Sequence, residues 1–174
     1  MYRHIYDSKQ SAELGQTAAD LFEEVAKRKG WIVIKATKEQ DYKEHWDYAL
    51  RQQNDAYFIE VKGLKRLNRS AQQDDQMICI ELQGNTGYPG WLYGKSTHIA
   101  FLMKEGFLLL DRLKLVAMIE QLVDINGKIN PSIPNKKLHT IYRRVKFGHK
   151  DKIIYITKQE LLSVPHKIWE VEGV

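Results

Sequence analysis

Three residues of this chain have the types and spacing for metal-assisted chemistry: Asp47, Glu60 and Lys62. Glu60 and Lys62 lie in "NDAYFIEVKGLKR", Asn54 to Arg66. A period of two puts Tyr57, Ile59 and Val61 on one face, and Phe58, Glu60 and Lys62 on the other. A carboxylate and an ammonium side by side on so apolar a strand suit either a solvated surface or a catalytic cleft. The spacing acid-x-Lys occurs three times: at Asp7-Ser8-Lys9, at Asp41-Tyr42-Lys43 and at Glu60-Val61-Lys62. The third alone falls between apolar neighbours in a strand pattern.

The preceding segment supplies the second acid. A hairpin turning about Gln53-Asn54 opposes Leu50 to Tyr57, Tyr48 to Ile59 and Asp47 to Glu60. Directly opposed side chains have Cβ atoms about 4.5–5.5 Å apart, and like charges there repel. A divalent cation would offset the repulsion, and Mg²⁺ takes one or two carboxylates with water and phosphate oxygens. Asp47, Glu60 and the Val61 carbonyl would hold the ion, and a phosphate would complete its shell. Lys62, one strand repeat from Glu60, could then position or deprotonate the attacking water, or stabilise charge on the phosphorus centre. That chemistry is metal-assisted phosphodiester hydrolysis.

These residues need a scaffold, and the remaining pattern gives one. Ser11 to Lys29 predicts a helix from Leu14, Ala18, Leu21, Phe22, Val25 and Ala26, ended by Gly30. "WIVIKAT" is a strand, "KEQDYKE" a polar loop, and His45–Leu50 and Ala56–Lys62 two further strands. Met77 to Leu82 is another strand. "QGNTGYPGWLYG" is a loop with one helical turn near Trp91, and Thr97–Met103 and Gly106–Leu110 pair about Lys104-Glu105. Asp111 caps a helix, and Thr157 with Glu160 forms a capping box before a last one. Leu138–Phe147 and Lys152–Ile156 read as a basic hairpin around "GHKD". The chain reads as one domain, 1–174, with a core over about 11–110 and a C-terminal helix and hairpin over about 111–174.

The composition is that of an ordinary globular domain: 174 residues, 43% hydrophobic, 28% charged, net charge +5. The apolar runs are too short to span a bilayer and "MYRHIYDSKQ" is unlike a secretory signal. Cys79 is the single cysteine, which excludes an internal disulfide or a cysteine-rich zinc site and suits the cytoplasm. The six histidines show no metal spacing, although His45 could line a cleft beside Asp47 or simply sit at an edge. Lys136 to Lys152 holds seven Lys/Arg against one acid, and Lys65, Arg66 and Arg69 follow Lys62 closely. Such stripes suit a polyanion or a solvated face. If the cleft takes DNA, Lys65, Arg66, Arg143, Arg144, Lys146 and Lys150 are the phosphate contacts. Tyr88, Trp91 and Tyr93 could stack on bases or anchor their own loop.

The order helix, strand, strand with Asp47, strand with Glu60-x-Lys62 resembles the PD-(D/E)XK nuclease superfamily, over roughly Ser11 to Leu110. "GWLYGKSTHIAFL" is similar to the segment that crosses to the fourth core strand. Trp46 stands where the family's proline would precede Asp47. The resemblance implies a restriction-endonuclease-like α/β fold, a mixed central sheet flanked by helices, here with the basic hairpin as an extension. It implies a Mg²⁺-dependent endonuclease acting on DNA, with Mn²⁺ as substitute and possible homodimers. It also implies an auxiliary acid on the first helix, Asp20, with Glu24 one turn later, and polar candidates Glu81 and Gln83 on a later strand. The alternative is a non-catalytic nucleic-acid-binding or regulatory protein on the same scaffold.

Overall fold

A computed structural model of the chain describes residues 8–63, 75–131, 137–144 and 148–171. Helix α1 (Ser8–Arg28) turns Ala18, Phe22, Val25 and Ala26 inward, all of them buried. Gly30, at φ 83°, ends it and leads into β1 (Ile32–Lys35). That left-handed angle favours glycine, which has no Cβ to clash.

The segment "KEQDYKE" is a helix, α2 (Lys38–Glu44), where the sequence predicts a loop. It buries no side chain, so no apolar stripe announces it. A reciprocal cap starts it: Gln40 N donates to Thr37 Oγ1 at 3.2 Å, and Thr37 N donates to Gln40 Oε1 at 3.0 Å. His45, at φ 55°, closes it.

Strands β2 (Tyr48–Gln52) and β3 (Asp55–Lys62) form the expected hairpin, with Leu50 opposite Tyr57 and Tyr48 opposite Ile59. The chain then builds β4 (Met77–Gln83) and one 3-10 turn (Trp91–Tyr93) before returning as β5 (His98–Met103). β5 lies parallel to β3, with Glu60 beside Ile99 and Lys62 beside Phe101. A parallel neighbour requires such a crossover. β6 (Gly106–Asp111) pairs back onto β5, and Asp111 caps α3 (Arg112–Leu122) by accepting from Lys114 N at 3.1 Å. The C-terminal elements are β7 (Asn130–Pro131), β8 (Tyr142–Arg143), β9 (Lys152–Thr157), α4 (Lys158–Ser163) and β10 (His166–Trp169).

These strands make two sheets, β1-β2-β3-β5-β6-β10 and β4-β9-β8-β7. The architecture is α/β, with mixed sheets flanked by helices. The expected antiparallel pairing of the two C-terminal strands is present but short, between β8 and β9. β9 pairs along its length with β4, from Met77 opposite Thr157 to Gln83 opposite Lys152, and meets β8 at Tyr142 opposite Ile153. It is an inner strand of the second sheet, which its run of four buried residues requires.

One face of the first sheet packs Tyr48, Leu50, Ile59, Val61, Phe107 and Leu109 against α1. The other packs Ile99, Phe101 and Leu110 against Ile80 and Ile154 of the second sheet and Leu115 of α3. Among the described residues, no helix is long and apolar enough to cross a membrane.

Candidate active site

The alternation of β3 decides where its charges go. Ile59 and Val61 belong to the α1 side, so Glu60 and Lys62 point into the space between the two sheets. Glu60 is consequently 4% exposed. Lys62 Nζ donates to Glu60 Oε1. The second oxygen, Oε2, is buried and has no hydrogen-bond partner among the described residues. A buried carboxylate oxygen without a donor is costly, and it calls for a cation or a proton.

Asp47 stands between the end of α2 and the start of β2. Its N–H donates to Ile59 O at 2.7 Å, and its carbonyl accepts from Ala36 N at 2.8 Å. Its Oδ2 accepts the Val61 N–H at 2.6 Å. The carboxylate thus takes the place of a ladder carbonyl where β2 runs out, and is pinned to the backbone between Glu60 and Lys62. Asp47 lies one residue outside β2, with its carboxylate close enough to Glu60 and Lys62 for their charges to act on it.

The electrostatics follow from this crowding. Burial, then the neighbouring Glu60 carboxylate, push Asp47 up to about 7. Burial raises Glu60 as well. For Lys62, burial alone would lower the pKa, but the Glu60 carboxylate, aided by Asp47 and Glu81, holds it above its ordinary value. Asp41 of α2 adds negative charge beside Asp47 and Glu60, and Glu81 of β4 adds it beside Glu60 and Lys62. Sequence reasoning passed over Asp41 because α2 went unrecognised; the pairing of Thr37 with Gln40 was the available signal.

No family model, curated protein or solved structure matches the chain. The site is therefore judged on its own donors. Among the described residues, no three of His, Cys, Asp and Glu are grouped to hold a metal ion. The residues that could hold a cation are the two mutually repelling carboxylates of Asp47 and Glu60, the latter with one oxygen that has no partner among the described residues. Mg²⁺ can use as few as two carboxylates and complete its shell with water and phosphate.

The other expected residues are placed as follows. Asp20 and Glu24 are exposed on α1, across the sheet from Glu60, and Asp20 accepts from Gln16 Nε2 at 2.7 Å. Gln83 Nε2 donates to Lys150 O at 2.6 Å, tying β4 to the segment before β9. Arg144 is paired with the fully buried Asp151, with Glu81 Oε2 3.6 Å away and Asn85 Oδ1 at 3.3 Å. Arg143 Nε donates to Asp151 O at 3.4 Å, and Lys150 is exposed. Lys65, Arg66 and Lys146 lie outside the described residues. His45 Nε2 lies 3.1 Å from Pro89 O, so it joins α2 to the glycine-rich loop. Of the loop aromatics, Tyr88 is exposed, Trp91 is buried and the Tyr93 hydroxyl donates to Glu120 Oε1 at 3.0 Å.

Proposed function

We propose that this chain is a Mg²⁺-dependent endonuclease of the PD-(D/E)XK kind, hydrolysing phosphodiester bonds in DNA. The observation that carries the reading is the buried Oε2 of Glu60, without a hydrogen-bond partner among the described residues, with Lys62 and Asp47 beside it. The carboxylates of Asp47 and Glu60, with the Val61 carbonyl, would hold Mg²⁺ or Mn²⁺. When bound, that ion supplies Lewis acidity at the phosphate and a more acidic water. Asp47 is already oriented by the Val61 N–H, so no rearrangement of its backbone is needed. Lys62 remains an ammonium beside Glu60 and offsets negative charge building on the phosphate oxygens. Lys150 and Arg143, with the net charge of +5, favour a polyanionic substrate. Two copies of so small a domain would let each cut one strand of a duplex.

The test is cleavage of plasmid and branched DNA in Mg²⁺ and in Mn²⁺. Wild type should cut, and Lys62→Ala, checked for folding by circular dichroism, should lose roughly 100-fold or more while still binding DNA. Wild type that binds but never cuts, in either metal, would move the protein to the non-catalytic nucleic-acid-binding reading.

A further inference from the structure

We infer that Trp91 is a positioning residue for Lys62, its indole face fixing the ammonium that Glu60 alone would hold from one side. Lys62 Nζ lies 5.2 Å from the centroid of the Trp91 ring. At that range the negative face of the ring attracts a cation, and it does so more strongly away from water. A lysine is a point charge on a flexible stem, so one ion pair restrains it poorly. The ring is a firm support. Trp91 is 4% exposed and meets Phe101 edge-on at 5.8 Å, and Phe101 is the residue beside Lys62 across the β3–β5 pairing.

The glycines of the loop show how closely the ring is seated. A Cβ at Gly90 would lie 2.4 Å from Glu81 O, and one at Gly94 would lie 2.6 Å from His45 Cβ. The turn bearing Trp91 is therefore pressed against β4 at Glu81 and against the end of α2, two residues from Asp47. Glycine at both positions permits this approach. Glu81, His45 and Lys62 thereby all lie against one turn.

The contact stands on its own geometry, and its catalytic consequence rests on the nuclease reading. Site-specific incorporation of tryptophans with one to four ring fluorines at position 91 weakens the negative face with little change in volume. In protein carrying ¹³C-labelled lysine, with Lys62 assigned through Lys62→Arg, the ε-methylene protons of Lys62 should be shifted upfield in wild type. That shift should vanish in Trp91→Leu, and the order of the Lys62 Cε should fall stepwise along the fluorine series. The cleavage rate should fall with it, roughly tenfold across the series. A side chain that merely fills the core would give a flat series. Unshifted Lys62 protons in wild type, or order and rate unchanged by fluorination, overturn the inference. If wild type does not cleave, the nuclease reading falls, and the resonance series still decides whether Trp91 holds Lys62.

Discussion

Glu60 is an acid placed where a folded chain ordinarily places leucine or valine, between Ile59 and Val61 and facing a second sheet. One oxygen has Lys62, and the other has no partner among the described residues. Asp47 compounds the cost by bringing a second, repelling carboxylate near it. The hairpin register was legible because a two-residue turn sets it: Tyr48 lies opposite Ile59 as the sequence predicts, and the ladder ends there, one residue short of Asp47. The Trp91 contact was not legible, since nothing in a sequence tells which way a glycine-rich loop folds over a strand. Asp47→Asn isolates the conflict between stability and function. The amide oxygen still accepts from Val61 N–H, while one repelling charge is gone. The metal-free protein should gain about 1 kcal/mol in urea unfolding at pH 8, and Mg²⁺-dependent cleavage should be lost.

At the scale of elements, the strands around the site follow the expected period, and the departures have one cause each. Helix α2 is held by its caps and buries nothing, so an apolar period could not reveal it. Strand β10 buries only Trp169 of its four residues, a pattern too short to read. Asp75 shows what joins separate elements. Fully buried at the start of β4, it accepts from Lys104 N at 3.2 Å and from Lys158 Nζ at 2.7 Å, and Lys158 reaches Glu105 as well. Burial alone would raise its pKa. The hydrogen bonds from Lys158, the Lys104 N–H and Gln76 outweigh burial and leave the carboxyl below its ordinary value. A depressed folded pKa gives stability that is present above the unfolded value of about 3.9 and lost as pH falls through the folded one. Asp75→Asn should therefore cost roughly 2–3 kcal/mol at pH 7, and the gap should close below about pH 4 in urea titrations.

At the scale of the molecule, the second sheet covers the strand face that carries Glu60 and Lys62. Its key pairing joins β4 to β9 across some seventy residues, Ile80 opposite Ile154, and no local pattern encodes a contact of that separation. The same assembly divides the basic residues into two kinds. Lys150 is exposed, so Lys150→Ala should lower the slope of log affinity against log salt for DNA by about one, with the fold unchanged. Arg144 is engaged with buried Asp151, so Arg144→Ala should instead cost about 3 kcal/mol in unfolding experiments.

The pairing of two acids around one cation is tested most directly by the anomalous difference map of crystals soaked in Mn²⁺. A peak within reach of both the Asp47 and Glu60 carboxylates is expected, and it should be absent from Asp47→Asn crystals. A map with no peak between those two acids at saturating Mn²⁺, or with the ion bound only elsewhere, would contradict it.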